Sequence, residues 1–243
     1  MKPVFPGGAR AVFFLVTCEH GGNRVPALYR PYFAGWEEAL HSHRGHDPGA
    51  LTLARDMAAA LGAPLVASTT SRLVVELNRS LGHRQLISDA LRSAPREVRQ
   101  DIIRRYYLPY RRRAEKMIAE AIAQGRRVVH LSSHSFTPEL EGKVRDADIG
   151  LLYDPGRPGE VALCDAWQEA LREVAPRFKV RRNYPYAGKS DGFCTGLRRQ
   201  FAPEDYVGVE LEVNQKHYLA RGASWRDIRR GVADSLLRMG RQD

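Results

Sequence analysis

Histidines and carboxylates stand next to several apolar segments that the sequence predicts to be strands. His20 follows the first of these segments, Asp47 precedes a predicted helix, and His134 follows a later segment. In sheets of parallel strands, ligands bind beyond the carboxyl ends of the strands. A catalytic zinc ion takes three nitrogen or oxygen ligands and keeps one position for water. A single histidine at a strand end is more often a hydrogen-bonded structural residue, but several such groups after different strands give a metal site equal weight.

Acidic residues recur with period two in the last predicted strand. Glu210, Glu212 and Asn214 alternate with apolar residues, so their side chains point to one face of the sheet. A carboxylate beside a metal-activated water can take up its proton. Glu210 and Glu212 are therefore candidates for a general base.

The pair Asn78-Arg79 follows the apolar run 73–77. An arginine offers two parallel donors to a carboxylate, and an asparagine amide adds a directional hydrogen bond. The pair is a candidate carboxylate-binding site, although an Asn-Arg pair in a loop often has no binding role.

Cys18 lies two residues before His20, and on a strand the two side chains would share a face. A cysteine nucleophile with a histidine base is one interpretation. A small buried apolar residue at a strand end is the favoured alternative. The chain has three cysteines and no CxxC pair, which is typical of a protein from a reducing compartment.

Short apolar runs alternate with longer helical patterns along the chain. The predicted strands are 11–17, 64–67, 128–133, 150–153, 179–182 and 206–213. The predicted helices are 46 or 48 to 61, 95–124 with a kink or break at Pro109, 159–175 and 225–240. This alternation predicts one α/β domain over residues 1–243, with a mostly parallel sheet covered on both faces. Loops 140–148 and 184–196 are candidates to cover the active site.

Charge and hydropathy restrict the class of partner. The 243 residues include 38 Lys and Arg against 28 Asp and Glu, for a net charge of +10. The arginines are spread over predicted helices without a recognition motif, which favours attraction of small anionic substrates over binding of nucleic acid. No stretch approaches the roughly 18 apolar residues of a membrane span. The apolar run 11–16 is too short for a secretory signal, so we expect a cytoplasmic protein.

Five stretches, in this order along the chain, resemble the N-formylglutamate amidohydrolase family. They are 18–26, 46–50, 71–80, 132–136 and 209–218. That family is in turn similar to the zinc carboxypeptidases and to aspartoacylase. The resemblance implies a three-layer α/β/α fold with a mixed, mostly parallel central sheet, of the phosphorylase/hydrolase-like kind found in zinc carboxypeptidases. It also implies hydrolysis of N-formyl-L-glutamate to formate and L-glutamate, in histidine degradation.

The resemblance implies that one divalent metal ion, zinc first, is bound by His20, Asp47 and His134. The carboxypeptidase pattern has a glutamate three residues after its first histidine, where this chain has Asn23. The third ligand is therefore either Asp47 or Asn23, and Asp47 is favoured.

The resemblance also implies roles around the substrate. Asn78 and Arg79 would hold its carboxylate, and Glu212 would be the general base, with Glu210 as the competing candidate. Tyr184 and Lys189 would contact the substrate from loop 184–196, unless the Tyr-Pro-Tyr turn only packs.

Two other functions fit the same residues. The chain could hydrolyse another N-acyl amino acid or a peptide with the same metal. It could instead be a non-catalytic basic binding protein on this fold, with no metal and with salt-dependent binding to nucleic acid. The sequence does not determine the oligomeric state.

Overall fold

A computed structural model describes residues 10–239. The strands are β1 Val12–Cys18, β2 Leu65–Ala67, β3 Arg127–Phe136, β4 Glu139–Leu140, β5 Lys143–Val144, β6 Ile149–Leu152, β7 Val180–Arg182 and β8 Tyr206–Asn214. The α-helices are α1 Glu37–His41, α2 Ala50–Leu61, α3 Arg96–Ile102, α4 Leu108–Ala123, α5 Pro158–Val174, α6 Phe193–Gln200, α7 Gln215–Ala220 and α8 Gly222–Met239. Both ends of the domain predicted over 1–243 lie outside the described residues, as does Gly240, the last residue of the predicted final helix.

A six-stranded mixed sheet runs through the molecule in the order β2-β1-β3-β8-β6-β7. The pairs among β2, β1, β3 and β8 are parallel, whereas β6 runs antiparallel to β8. All six predicted strands belong to this sheet, and the prediction of a mostly parallel mixed sheet is confirmed. The carboxyl ends of β1, β3 and β8 therefore meet at one edge.

Helices cover both faces of the sheet, which confirms the three-layer arrangement. On one face, Val16 and Leu131 of the sheet pack in one core with α2, α5 and α8. On the other face, Leu15 and Val128 pack with α4 and α6. Neighbouring residues of one strand thus enter opposite cores, because successive side chains alternate between the faces.

The histidines of β3 and the glutamates of β8 lie on the face that α4 and α6 cover, whereas Ser133 faces α2 on the other side. On β8, Val209 and Leu211 enter the core of the opposite face, so Glu210 and Glu212 point towards α6. On β3 the same alternation places His134 and Leu131 on opposite faces of the sheet. The period of two thus collects polar side chains on one face, near the carboxyl ends of the strands.

The long helix predicted over 95–124 is not broken at Pro109. It continues from α3 to α4 through a π-helical turn, Ile103–Tyr107, in which the Leu108 amide donates to the Ile103 carbonyl. Pro109 stands in the first turn of α4, where the missing backbone donor of a proline is tolerated. Gly125, with φ 73°, lies just past the end of α4, as a left-handed glycine at a helix end typically does.

Several short elements outside the central sheet were not predicted. Helices α1, α6 and α7 have eight residues or fewer, and β4 with β5 forms a two-residue hairpin. Elements of this length contain too few repeats to give a periodic signal. Among the described residues, no helix has the length and hydropathy that a membrane span requires.

Candidate metal centre and substrate cavity

The three predicted metal ligands meet at one point beyond the sheet edge. The Nδ1 atom of His20 lies 3.2 Å from Oδ2 of Asp47, and Nδ1 of His134 lies 3.0 Å from the same oxygen. One ligand atom from each residue falls within 4.8 Å of the others, and all three side chains are buried. Asn23, the competing third ligand, does not line the cavity at this point.

The loop that carries Asp47 is pinned to the sheet. The Asp47 amide donates to the His20 carbonyl at 3.0 Å, and Ser135 Oγ donates to the Pro48 carbonyl at 2.9 Å. At Gly45 the chain passes so close to α1 that a Cβ atom would lie 2.2 Å from the Leu40 carbonyl. These contacts hold the Asp47 carboxylate between the ends of β1 and β3.

Each histidine is oriented by a carboxylate at its far nitrogen. Nε2 of His20 faces Glu76, and Nε2 of His134 lies 3.1 Å from Oε2 of Glu19. Glu19 is fully buried and accepts from Ser132 Oγ at 2.6 Å and from Tyr110 OH at 2.8 Å. Carboxylates in this position fix the ring orientation of metal-binding histidines and make the ligand nitrogen more basic.

The donor set fits a divalent metal ion. Two imidazole nitrogens and one carboxylate oxygen converge, and both imidazoles are backed by anions, which suits zinc and similar cations. Burial alone would raise the pKa of Asp47, yet the charges and hydrogen bonds of His20 and His134 hold it well below its usual range. Burial would likewise lower the pKa of His134, but Asp47 and Glu19 raise it well above its usual value. The site is thus built to hold positive charge between these groups.

Glu212 is the register partner of His134 and lines the same cavity. Its Oε2 atom is buried without a hydrogen-bond partner among the described residues. Burial raises the pKa of Glu212 to about 8; His134 lowers it, whereas Asp47 and Glu210 push it further up. Glu210 also lines the cavity, but its carboxylate is hydrogen-bonded by the Asn78 side chain.

Asn78 and Arg79 line the cavity of about 260 Å³ that opens beside the metal ligands. Oδ1 of Asn78 accepts from the Phe193 amide at 2.6 Å, which leaves its amide nitrogen turned towards Glu210. Arg79 donates one hydrogen bond to the Asp191 carbonyl. Within residues 10–239 the Arg79 guanidinium makes no other hydrogen bond, so its remaining donors can bind an anion.

The cavity contains a cation that sequence reasoning did not single out. Arg72 bonds to Asp47 at 3.3 Å and to Glu76 at 2.7 Å, so it bridges one metal ligand and the carboxylate behind another. Arg72 and Glu76 lie within the stretch 71–80, and Glu19 adjoins His20, so their positions in the motifs were the available signal.

Loop 184–196 lines the cavity, but with other residues than Tyr184 and Lys189. The Tyr184 ring packs on Phe136 at 6.2 Å, beneath the Arg181 guanidinium, and Lys189 is exposed. The residues of this loop that line the cavity are Tyr186, Ala187, Ser190 and Asp191. Loop 140–148 does not line it.

Cys18 belongs to the apolar core and is fully buried. Burial raises the pKa of its thiol well above the usual value, and the charges of Glu19 and Asp47 raise it further. A thiol held protonated is a poor nucleophile, so the site favours metal chemistry over cysteine catalysis.

Comparisons with known proteins agree with this geometry. A family model for N-formylglutamate amidohydrolases matches residues 12–219. The solved structure of a gene product from Agrobacterium tumefaciens has a TM-score of 0.78 and 28% identity, and covers 95% of this chain and 90% of its own. An N-formylglutamate amidohydrolase from Ralstonia eutropha JMP134 has a TM-score of 0.71 and 21% identity, covering 97% of this chain and 95% of its own. A comparison with curated proteins gave no match.

Proposed function

The chain belongs to the N-formylglutamate amidohydrolase family and is a hydrolase acting on an amide bond; from this premise we propose that it is a metal-dependent amidohydrolase of N-acyl amino acids. N-formyl-L-glutamate is the first candidate substrate, with formate and L-glutamate as products. The observation that carries the proposal is the convergence of His20, Asp47 and His134 beside the unpartnered Oε2 of Glu212. Such a reaction would belong to histidine degradation.

In this proposal, Nδ1 of His20, Nδ1 of His134 and Oδ2 of Asp47 hold one divalent ion, with zinc as the first candidate. When bound, such an ion polarises the scissile carbonyl and lowers the pKa of a water molecule to about 7. Glu19 and Glu76 keep both imidazole rings turned so that Nδ1 faces the ion.

Glu212 moves the proton. Its free Oε2 accepts the proton of the attacking water, and the same carboxyl group then donates it to the leaving nitrogen as the amide bond breaks. The pKa of Glu212, raised by burial in the metal-free site, falls beside a bound cation because opposite charge favours the ionised form. Glu210 is the weaker candidate because Asn78 already occupies its carboxylate.

Asn78 and Arg79 orient the substrate. Arg79 pairs with the carboxylate of the leaving amino acid, and the Asn78 amide adds a second donor. Fixing the scissile carbonyl against the attacking water can contribute several kcal/mol to the rate enhancement, and about 7–11 kcal/mol for well-oriented groups. Tyr184 and Lys189 stay predictions as substrate contacts, and Tyr186 is a further candidate because it lines the cavity.

We place the enzyme in the cytoplasm, since all three cysteines are buried and unpaired, as suits a reducing compartment. Its proposed partner is a small anionic N-acyl amino acid.

The test is metal content measured together with formate release from N-formyl-L-glutamate, before and after chelation. We expect about one metal per chain, from the set of three ligands at the cavity, with activity lost on chelation and restored by zinc. Bound metal without formate release would leave the assignment as a metal-dependent amidohydrolase in place and exclude N-formyl-L-glutamate as its substrate. Undiminished activity after complete removal of metal would refute the metal mechanism.

A further inference from the structure

Asp47 differs from the other two candidate metal ligands in the part of the fold that carries it. His20 follows β1 directly and His134 belongs to β3, whereas Asp47 lies in the loop that leads into α2. Side chains on loops are placed less precisely than side chains on strands, unless neighbouring elements hold the loop. The contacts around Asp47 therefore decide how well the three ligands are arranged for a metal ion.

Ser135 connects this loop to β3 through two hydrogen bonds. Its amide donates to Oδ2 of Asp47 at 3.4 Å, and its hydroxyl donates to the Pro48 carbonyl at 2.9 Å. A serine hydroxyl has one proton, which rotates towards any acceptor within reach. The bond to Pro48 is therefore maintained best when another group fixes the direction of the hydroxyl.

Gln215 is that group. It is the first residue of α7, directly after β8, and its exposed fraction is 4%. Its Nε2 donates to the Ser135 hydroxyl at 3.1 Å and to the Ser135 carbonyl at 3.2 Å. Because a carbonyl can only accept, the nitrogen of the Gln215 amide and not its oxygen must face Ser135. The Ser135 oxygen accepts from Gln215, so its own proton is directed to Pro48.

Helix α7 is anchored independently of the metal ligands. His217 contacts Asp148 through Nε2 at 2.8 Å and Ser224 Oγ through Nδ1 at 2.7 Å. Asp148 immediately precedes β6 and Ser224 belongs to α8, so the histidine joins α7 to both elements. Gln215 thus projects from a helix whose position is fixed by other contacts.

The loop also packs directly on this helix. Gly49 has φ 85°, and a Cβ atom there would lie 2.9 Å from the Tyr218 ring of α7 and 2.8 Å from the Trp225 ring of α8. No side chain fits between the loop and these rings. Close packing and the bonds of Gln215 therefore act on the same short segment next to Asp47.

We propose that Gln215 is a positioning residue for the metal centre: through Ser135 it holds the Asp47 loop against β3 and so raises the affinity for a divalent ion. The inference rests on the proposed metal centre. Glu212, the proposed base, lies on β8 three residues before Gln215. The same contact therefore links the strand of the base to the loop of a metal ligand.

Gln215→Met tests the proposal, because methionine has a similar volume but no hydrogen-bond donor. The dissociation constant for zinc, measured by competition with a chelator, should rise by about 10-fold, as for other residues behind metal ligands. Gln168→Met is the matched control, since the side-chain amide of Gln168 in α5 donates to the Val180 carbonyl at 3.2 Å, outside the cavity lining. It should leave the constant unchanged. An increase no larger than that of the control would overturn the proposal.

A double-mutant cycle separates positioning from a general loss of stability. Ser135→Ala should itself weaken zinc binding. In the Ser135→Ala background, Gln215→Met should have a smaller effect than in the wild type, because the hydroxyl that Gln215 directs is gone. Independent effects would add. Full additivity would overturn the action of Gln215 through Ser135.

Hydrogen exchange of the metal-free protein makes the inference independent of metal and substrate. The Asp47 amide donates to the His20 carbonyl at 3.0 Å, and the Ala50 amide donates to the Asp47 carbonyl at 3.1 Å. Both amides should exchange several-fold faster in Gln215→Met, because the loop opens more readily, and at the wild-type rate in Gln168→Met. Unchanged exchange in Gln215→Met would overturn the proposal. If the wild type binds no zinc, the proposed metal centre fails, and the exchange rates alone decide whether Gln215 positions the Asp47 loop.

Discussion

His130 and His134 lie on the same face of β3, four residues apart, and their surroundings differ in charge. The ring nitrogens of His130 lie against hydroxyl groups and a thiol, Thr17 Oγ1 at 2.8 Å, Tyr206 OH at 2.7 Å and the Cys194 sulphur at 3.7 Å, and its ring packs on Phe193 at 5.8 Å. His134 contacts carboxylates, with Asp47 at one ring nitrogen and Glu19 at the other.

The neighbouring strand differs in the same way. The β8 partner of His130 is Gly208, where a Cβ atom would lie 2.5 Å from the Tyr206 hydroxyl. The β8 partner of His134 is Glu212, which borders the cavity. The region around His130 is thus filled and neutral, and the region around His134 is anionic and open. The residue type alone does not separate a structural histidine from a metal ligand; the charge and packing of its neighbours do.

The largest effect is expected from Glu212→Gln, which removes the proton acceptor from the open region. Turnover should fall by about 100-fold to 10,000-fold, the range typical of general acid-base catalysis, because the side-chain amide of the introduced glutamine cannot take up a proton from water. Metal content, measured in the same preparation, should stay at the wild-type level. Turnover near that of the wild type would refute Glu212 as the general base and favour Glu210 instead.

Matched substitutions of the two histidines test the comparison directly. His134→Gln should lose bound metal and activity, because one of three ligands is removed. His130→Gln should retain metal and lose only stability, by roughly 1–3 kcal/mol, since buried hydroxyl partners are left less well satisfied. Metal analysis and denaturant unfolding of both variants provide the measurement. Equal metal loss in both would contradict the division into a structural and a binding histidine.

The pH dependence of the free energy of unfolding should show that the His130 ring is held neutral in the folded protein. Burial first, and then the charges of Arg198, His134 and Arg111, lower the pKa of His130 to about 4, although Glu19 opposes the shift. The native state thus favours the neutral ring. The neutral His130 ring therefore contributes stability that is complete above about 6.5, the pKa of a histidine in the unfolded chain. This contribution, about 3 kcal/mol, is lost as the pH falls through the pKa of His130 in the folded protein.

The measurement compares the free energy of unfolding of metal-free wild type and His130→Gln between pH 7 and pH 4. The advantage of the wild type should shrink as the pH falls, because the variant has no ring to protonate. A constant difference across this window would show that His130 is not held neutral.

The smallest effect is expected from the carboxylate behind His134. Glu19→Gln keeps the shape of the side chain and one of the two oxygens that accept from Ser132 and Tyr110, but removes the negative charge. The dissociation constant for zinc should rise by about 10-fold to 100-fold, as for other carboxylates behind metal-binding histidines. Competition with a chelator measures it, with His130→Gln as the buried control, on the strand that also carries His134. An unchanged constant would limit Glu19 to a packing role.

Much of the fold was predictable because its signals are local. The six strands of the sheet are short apolar runs, and the period of two in β8 correctly assigned Glu210 and Glu212 to one face. The π turn before Pro109 was not predictable, since a proline in a helical pattern is equally consistent with a break.

Parts of the site were less predictable than the fold. Loop 184–196 was expected to cover the substrate, yet Tyr186 lines the cavity whereas Tyr184 packs on Phe136. Which of two tyrosines in one turn faces a cavity depends on the path of the loop over the rest of the protein. The chain pattern around Tyr-Pro-Tyr contains no such information.

The sequence by itself determined the layered α/β architecture, the family and the residue types of the candidate metal site, because periodicity and ordered motifs are properties of the chain. Only the tertiary structure decided which atoms meet. His20 and Glu76 are 56 residues apart in sequence, and His134 and Asp47 are 87 apart. That Nδ1 of both histidines faces Asp47, and that carboxylates stand behind the rings, depends on strand order and loop packing. Those are set by contacts between distant segments, which no local pattern records.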